Sequence, residues 1–538
     1  MYHDGVEPGN PLRHDDGRHL EAVYWIILDW PAHVITRSFI WPIFALIRTS
    51  LVKKIAGGIS AVMVRILLYF FGFFSRGISL PHPDGEFMFT AVFTGFLADL
   101  LSHKELTCWK GTGGKKACLV CQNLVNTKRG SRRLAPHEVD LSEWDSLRFV
   151  PFTDDELFKL VDDLNAMAPG ISANRLQQLQ TDIGFNAGSA GLMADPSVRH
   201  IYKPSKHHLI DFQHALVQDG VANTEVFLCL QALGNHGIGL DRLEAFCDVV
   251  RMPISAGKPR KDWFHTRHLT STNIKNCSSP MLCIVDILYF FMMHVVDASA
   301  LIPEEFACFQ MLFHMLGLLR SGPANAAKFC DELRRLIRAH HKKFMETYGP
   351  EVAKPKLHAL HHLIDHILWA GRLVSCFVTE RKHRTIKGIA CFVFRNFEMV
   401  VMKDAIHQQC LQLEQGHDMF KPSCLMFSQK RSVASVDQPV RTSTAAACHF
   451  GEAHAGDIIY MRSGHAGRVV AFWMMEGSEV VIEVDLFDCV GGDTTLRDSR
   501  TAQRAFVDHE AVADTVLHFQ EDPAHYFRLL VPPCVLFF

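Results

Sequence analysis

Asp99 closes the apolar run GEFMFTAVFTGFLAD (85–99), and a Cys-x-x-Cys pair, Cys118 and Cys121, follows it in ACLVC after the glycine- and lysine-rich turn KGTGGKK. Lys128, Arg129, Arg132 and Arg133 come next. A carboxylate at a strand end, a thiol pair at metal-ligand spacing and a run of positive charge imply metal-dependent chemistry on a polyanion. The complementary half stands far along the chain. His358 and His362 are four residues apart in KLHALHHLID, hence on one face of a helix, and Glu380 follows in CFVTERKH with Arg381, Lys382 and Arg384 around it. Two thiolates and two imidazoles make a tetrahedral zinc set, and a closed set of four protein ligands is structural. His361 is the alternative to His362. Such a site would tie two distant segments together and bring Asp99 towards Glu380. Taken singly, buried thiols, core histidines and solvated charge runs explain the same residues. The mirrored order of acid, cysteine pair, histidine pair and acid is what points to a site.

Elements must hold these groups in place. EAVYWIILDW (21–30) and FIWPIFALIRTSLV (39–52) have the aromatic and β-branched content of buried strands. GGISAVMVRILLYFFGFF (57–74) is long enough for a helix, and 85–99 reads as a further strand. The opening MYHDG is a strand that runs into the turn VEPGNP and carries Asp4 at its end. Asp-Gly is also a common turn dipeptide, so Asp4 taken alone reads as a turn residue. The order strand, strand, strand, helix, strand fits the ribonuclease-H-like plan, in which the first and fourth strands are neighbours and their carboxylates meet. Three carboxylates around two Mg²⁺ or Mn²⁺ ions suit phosphodiester chemistry.

The expected class is α+β: a ribonuclease-H-like core interrupted by a large all-helical insertion and followed by a small C-terminal β domain. The expected boundaries are 1–129 for the first part of the core, 130–350 for the insertion, 351–422 for the histidines and the last acid, 423–448 for a Ser/Thr/Ala-rich linker, and 449–538 for a small β-barrel-like domain. Within the insertion, 153–167 opens with Thr153 and acids suited to a helix start, and 207–250 reads as helix, turn, helix. The composition is that of a globular chain, 48% hydrophobic and 21% charged, with a formal net charge of -2, so a nucleic acid would be met by local patches. Sixteen irregularly spaced cysteines suit reduced thiols and an intracellular setting, and the polar start MYHDGVEPGN has no signal-peptide pattern. Two apolar runs, 55–74 and 281–296, are interrupted by Arg65 and Asp286 and read as buried helices, with no membrane partner expected.

At YHDGVEPGNP, FTGFLAD with ACLVC, KLHALHHLID and CFVTERKH the chain resembles the catalytic core of DDE transposases of the CACTA (En/Spm) and Plavaka type, over roughly residues 1–410. The resemblance implies Asp4, Asp99 and Glu380 as the triad that binds two catalytic ions, with Asp211 in LIDFQHAL in reserve for the second acid. It implies structural zinc at Cys118, Cys121, His358 and His362. It also implies cleavage and joining of double-stranded DNA, a homo-oligomer and a nuclear location. The other reading is a transposase-derived chain, inactive or recruited by its host, that binds DNA or protein without cutting. The chain starts three residues before Asp4, which leaves a short first strand.

Overall fold

The computed structural model describes residues 1–8, 18–82, 84–127, 133–188, 190–270, 272–274, 278–320, 328–393, 395–415, 425–426, 430–432, 440–448, 451–474, 480–491, 495–497, 503–522 and 526–530. The protein mixes helices with several sheets and divides into two units. The first comprises Met1–Leu28, Arg37–Ala215 and Tyr348–Gln415; the second comprises Asp29–Thr36, Leu216–Thr347 and Gly416–Phe538. Residues 130–215, expected within the insertion, fold with the first unit.

The first unit is built on a five-stranded sheet. Strands β1 (Tyr2–Val6), β2 (Leu20–Tyr24) and β3 (Ile43–Arg48) form an antiparallel meander. A hairpin of β4 (Ile78–His82) and β5 (Gly85–Phe89) stands apart from it. β6 (Phe96–Ala98) then pairs parallel with β1, Tyr2 opposite Leu97, and with β7 (His208–Ile210), Phe96 opposite His208. The strand order is β3-β2-β1-β6-β7. Run 85–99 is therefore two strands rather than one. Gly95, at φ 153°, interrupts it, and a Cβ there would lie 2.8 Å from the His207 carbonyl oxygen. Only glycine lets the chain pass so close to β7. Residues 208–210, expected to be helical, are a strand, because three apolar-flanked residues carry too little periodicity to distinguish the two.

Helices cover both faces of this sheet. Helix α1 (Gly58–Phe74) sends Met63, Leu67 and Phe71 into a core with Phe93, Phe96 and Trp109. Helix α2 (Leu100–Thr107) follows β6 directly. Helix α3 (Asp154–Met167) starts at a capping box in which Thr153 and Glu156 satisfy each other's backbone N–H groups, and α4 is Ala173–Ile183.

The second unit opens with helices α5 (Val221–Asn235), α6 (Leu240–Val249), α7 (Ser278–His294), α8 (Pro303–Arg320) and α9 (Cys330–Tyr348). Asp286, the charge inside the apolar run of α7, is buried and takes a forked pair of bonds from Arg320 at 2.9 and 3.1 Å. Among the described residues no helix is long and apolar enough to cross a membrane.

The chain returns to the first unit with α10 (Pro355–Ala370), α11 (Phe377–Ala390) and α12 (Phe397–Gln415). Val378, Ile386, Ala390 and Val401 pack with Tyr2, Tyr24, Leu97 and Leu209 on the face of the sheet opposite α1. Beyond them lie short antiparallel strands. Ala466–Met474 pairs with Val440–Ser443, Ile458–Met461 and Val480–Leu486 around Phe472, Ile482 and Val484. Four short strands, Leu425–Met426, Lys430–Ser432, Val440–Ser443 and Ala445–Cys448, fall inside the segment expected to be a linker.

Candidate metal centre and carboxylate cluster

Cys118 and Cys121 sit on a turn whose backbone serves the sulfur. The N–H groups of Val120 and Cys121 donate to Cys118 Sγ at 3.2 and 3.3 Å. Asn123 fixes the turn from outside, donating to the carbonyls of His137 and Arg148 and accepting from Val150 N–H. Helix α10 presents His358 and His362 to the two thiols, and all four residues are buried. His362 Nε2 lies 3.4 Å from Cys118 Sγ, 3.3 Å from Cys121 Sγ and 3.0 Å from His358 Nε2. One ring nitrogen has one proton or one lone pair and cannot bond three partners. A central cation would satisfy all of them, and ligand atoms on tetrahedral zinc are about 3.3–3.8 Å apart. Burial raises Cys118, but its bond with Cys121 and the two histidines outweigh this and hold it well below the usual thiol range. Cys121, bonded to that sulfur and buried, is raised. The four residues therefore fit a buried metal such as zinc. His361 is outside the group; its ring packs 5.3 Å from Phe149.

A chain of buried polar groups runs beside this centre. Tyr202 OH bonds His208 Nε2, His208 Nδ1 lies 2.9 Å from His103 Nδ1, and His103 Nε2 lies 3.1 Å from the Leu209 carbonyl. The carbonyl can only accept, so His103 carries its proton on Nε2, His208 on Nδ1, and Tyr202 donates. This single assignment satisfies every member. Burial holds His103 down to about 4. His366, on α10, accepts the Ile210 N–H at 2.9 Å. These bonds join α2, β7 and α10; Asp99 and Asp211 stand at the start of α2 and just after β7.

The acids converge at one part of the sheet. Asp4 lies within β1 rather than at its end; Tyr2 OH donates to Oδ2 at 2.9 Å and Gly5 N–H to Oδ1 at 2.7 Å. Asp99 caps α2, taking Ser102 N–H on Oδ1 at 2.7 Å, which leaves Oδ2 for another partner. Glu380 is in the first turn of α11. Burial, with Asp99 nearby, raises Asp4 above the usual carboxylate range; burial and Asp4 raise Glu380. His383, one turn after Glu380, has Nδ1 3.8 Å from Asp4 and 4.0 Å from Glu380, and burial holds it down to about 3. It is therefore neutral and leaves the acids' charge uncompensated.

Asp211 is fully engaged. Its Oδ1 accepts Cys376 N–H at 3.0 Å, and its Oδ2 accepts from His214 at the backbone N–H, 3.0 Å, and faces Nδ1 at 2.8 Å. This turns His214 Nε2 towards Glu380 at 3.9 Å. Burial lowers His214, but Asp211, followed by Asp99 and Glu380, outweighs it and leaves the imidazole above its usual value. Asp211 thus orients a histidine and has no free oxygen, whereas Asp99 has one. His383 and Cys376 were missed from sequence. His383 was legible three residues after Glu380 on one helix face; Cys376 meets Asp211 and His214 through both its N–H and its thiol, across a sequence separation that only the fold closes.

The expected basic surface is only partly present. Arg133, Arg381 and Arg384 are exposed; Lys128, Arg129 and Arg132 lie outside the described residues. Lys382 is not on the surface. It is buried, with Nζ donating to the carbonyls of Trp41 and Ser38 and to Gln409, and burial lowers it to about 8. Helix periodicity turns Lys382 and His383 of the ERKHR run inwards and leaves Arg381 and Arg384 exposed. No protein-family model matches the chain, and no curated protein matches it.

Proposed function

We propose that the chain is a transposon-derived DDE transposase or recombinase that cuts and joins double-stranded DNA. The carrying observation is that Asp4 on β1 and Glu380 on α11 bring ligand atoms together, with Asp99 at the end of β6 raising the proton affinity of Asp4 and Asp4 that of Glu380. The strand order β3-β2-β1-β6-β7, with an antiparallel meander and two parallel neighbours, supports a ribonuclease-H-like core. Crowded carboxylates with a neutral histidine among them suit hard divalent cations, Mg²⁺ or Mn²⁺. Two such ions, when bound, would supply an activated attacking oxygen and charge relief at the leaving oxygen.

The chain's own groups have distinct parts in this reading. Tyr2 and Gly5 fix the Asp4 carboxylate, and Ser102 N–H occupies one Asp99 oxygen and leaves the other for an ion. The Asp211–His214 pair places the imidazole Nε2 beside Glu380, where a phosphate oxygen would approach. Exposed Arg133, Arg381 and Arg384 would meet the DNA backbone. Structural zinc at Cys118, Cys121, His358 and His362 would hold α10 against the Cys-x-x-Cys turn. Action on paired DNA ends in the nucleus by a homo-oligomer completes the reading.

Nicking of supercoiled DNA by the purified chain in Mg²⁺ or Mn²⁺ tests it, beside Asp99→Ala and Glu380→Ala. Cation-dependent nicking that falls to background in both variants is expected. DNA binding and zinc without nicking by the wild type would sink the enzyme and leave a recruited DNA-binding chain.

A further inference from the structure

A second group of metal-type ligands lies in the helices of the second unit, apart from anything the nuclease chemistry uses. Glu225 comes from α5, Cys308 from α8 and His340 from α9. One ligand atom from each lies within 4.8 Å of the other two. All three side chains are shut away from solvent, at 0%, 0% and 1% exposure. Glu225 Oε2 and His340 Nε2 are 2.7 Å apart. The other carboxylate oxygen, Oε1, is buried without a hydrogen-bond partner among the described residues. A carboxylate wholly removed from water with one oxygen unanswered is an unusual core group. Burial, then the Glu225 charge, holds the neighbouring Cys308 thiol well above its usual range.

We infer that Glu225, Cys308 and His340 form a second, structural zinc site that ties α5, α8 and α9 together. The donor set selects the ion class. Thiolate sulfur and imidazole nitrogen disfavour Ca²⁺ and Mg²⁺, while one sulfur, one nitrogen and one carboxylate oxygen suit Zn²⁺. The ion binds the unpartnered Glu225 oxygen and takes up the thiolate, releasing the Cys308 proton to solvent as the bundle closes. A water completes four-coordination, so that Cys308 is the one sulfur of the site. Full burial makes the site closed, so the metal enters during folding and stays through chelator treatment of the native chain.

The test uses the full chain produced with zinc as the only added metal and dialysed against chelator. About two zinc ions per chain are expected, with a mean sulfur count per zinc between one and two by X-ray absorption, because one site contributes two thiolates and the other one. Cys308→Ser should lose one equivalent and keep the two-sulfur zinc; Cys118→Ser should lose the other. X-ray absorption of the wild type decides the matter even where a variant fails to fold. A chain with no zinc, or with zinc surrounded by two sulfurs on average, overturns the second site. Loss of nicking without loss of this zinc would bear on the enzyme alone.

Discussion

Acidification should loosen the first unit, and His103 should account for a measurable share. His103 and His207 are buried, and burial holds both down to about 4 from an ordinary 6.5. The folded state therefore binds fewer protons than the unfolded chain between these values. The associated stability is complete above about pH 6.5 and is lost as pH falls through the window. At pH 5 each unfolded imidazole is mostly protonated and each folded one is not, which lowers stability relative to pH 7 by about 2 kcal/mol per residue. Zinc-ligand protonation adds to the same trend, so the wild-type slope alone is not diagnostic. His103→Gln separates the two. The amide retains a donor for the Leu209 carbonyl, does not titrate, and leaves the Cys118 cluster alone. It leaves His208 Nδ1 without its acceptor, a cost of about 1–3 kcal/mol that is nearly independent of pH. Hydrogen exchange in urea, followed on peptides covering 96–107, should show the variant less stable than wild type at pH 7 and the gap shrinking by about 2 kcal/mol at pH 5. A gap that is the same at both pH values would refute the neutral, proton-ordered Tyr202–His208–His103 chain.

Asp4→Asn should raise the cation-free melting temperature by a few degrees, about 1 kcal/mol, because it relieves carboxylate repulsion, and should show none of the upward shift in Mg²⁺ expected of the wild type; calorimetry with and without Mg²⁺ reads both. Lys382→Met should cost about 1–3 kcal/mol in urea unfolding, since the Trp41 and Ser38 carbonyls lose their donor, and should leave the salt dependence of DNA binding unchanged. Arg384→Ala, by contrast, should flatten that salt dependence by about one unit of slope with little change in stability. Gly95→Ala should destabilise the first unit by about 1–3 kcal/mol, seen as a lower urea midpoint, because its Cβ would press on the His207 carbonyl at 2.8 Å.

What was legible in the sequence was what repeats over many residues or stands at a fixed short spacing. Helix α1 shows itself through its length, and the cysteine and histidine pairs through separations of three and four residues. Tertiary context decided the rest. Strands β6 and β7 are three residues each, too short for a period, and exist because β1 and each other supply their backbone partners. Their shortness is also why the acids meet: Asp99 and Asp211 each leave the sheet one residue after a strand ends, at adjacent strands, beside Asp4 on β1. Side-chain type did not separate Asp99 from Asp211, since both follow a short strand that ends in two apolar residues. Backbone geometry did, because Asp99 spends one oxygen on a helix N-terminus and keeps one, whereas Asp211 spends both on Cys376 and His214. The same logic removes Lys382 from the basic surface. A charge run read along the chain has no inside, but on α11 the residue two after Glu380 falls on the buried face, and the backbone carbonyls of Trp41 and Ser38 make burial of its ammonium tolerable.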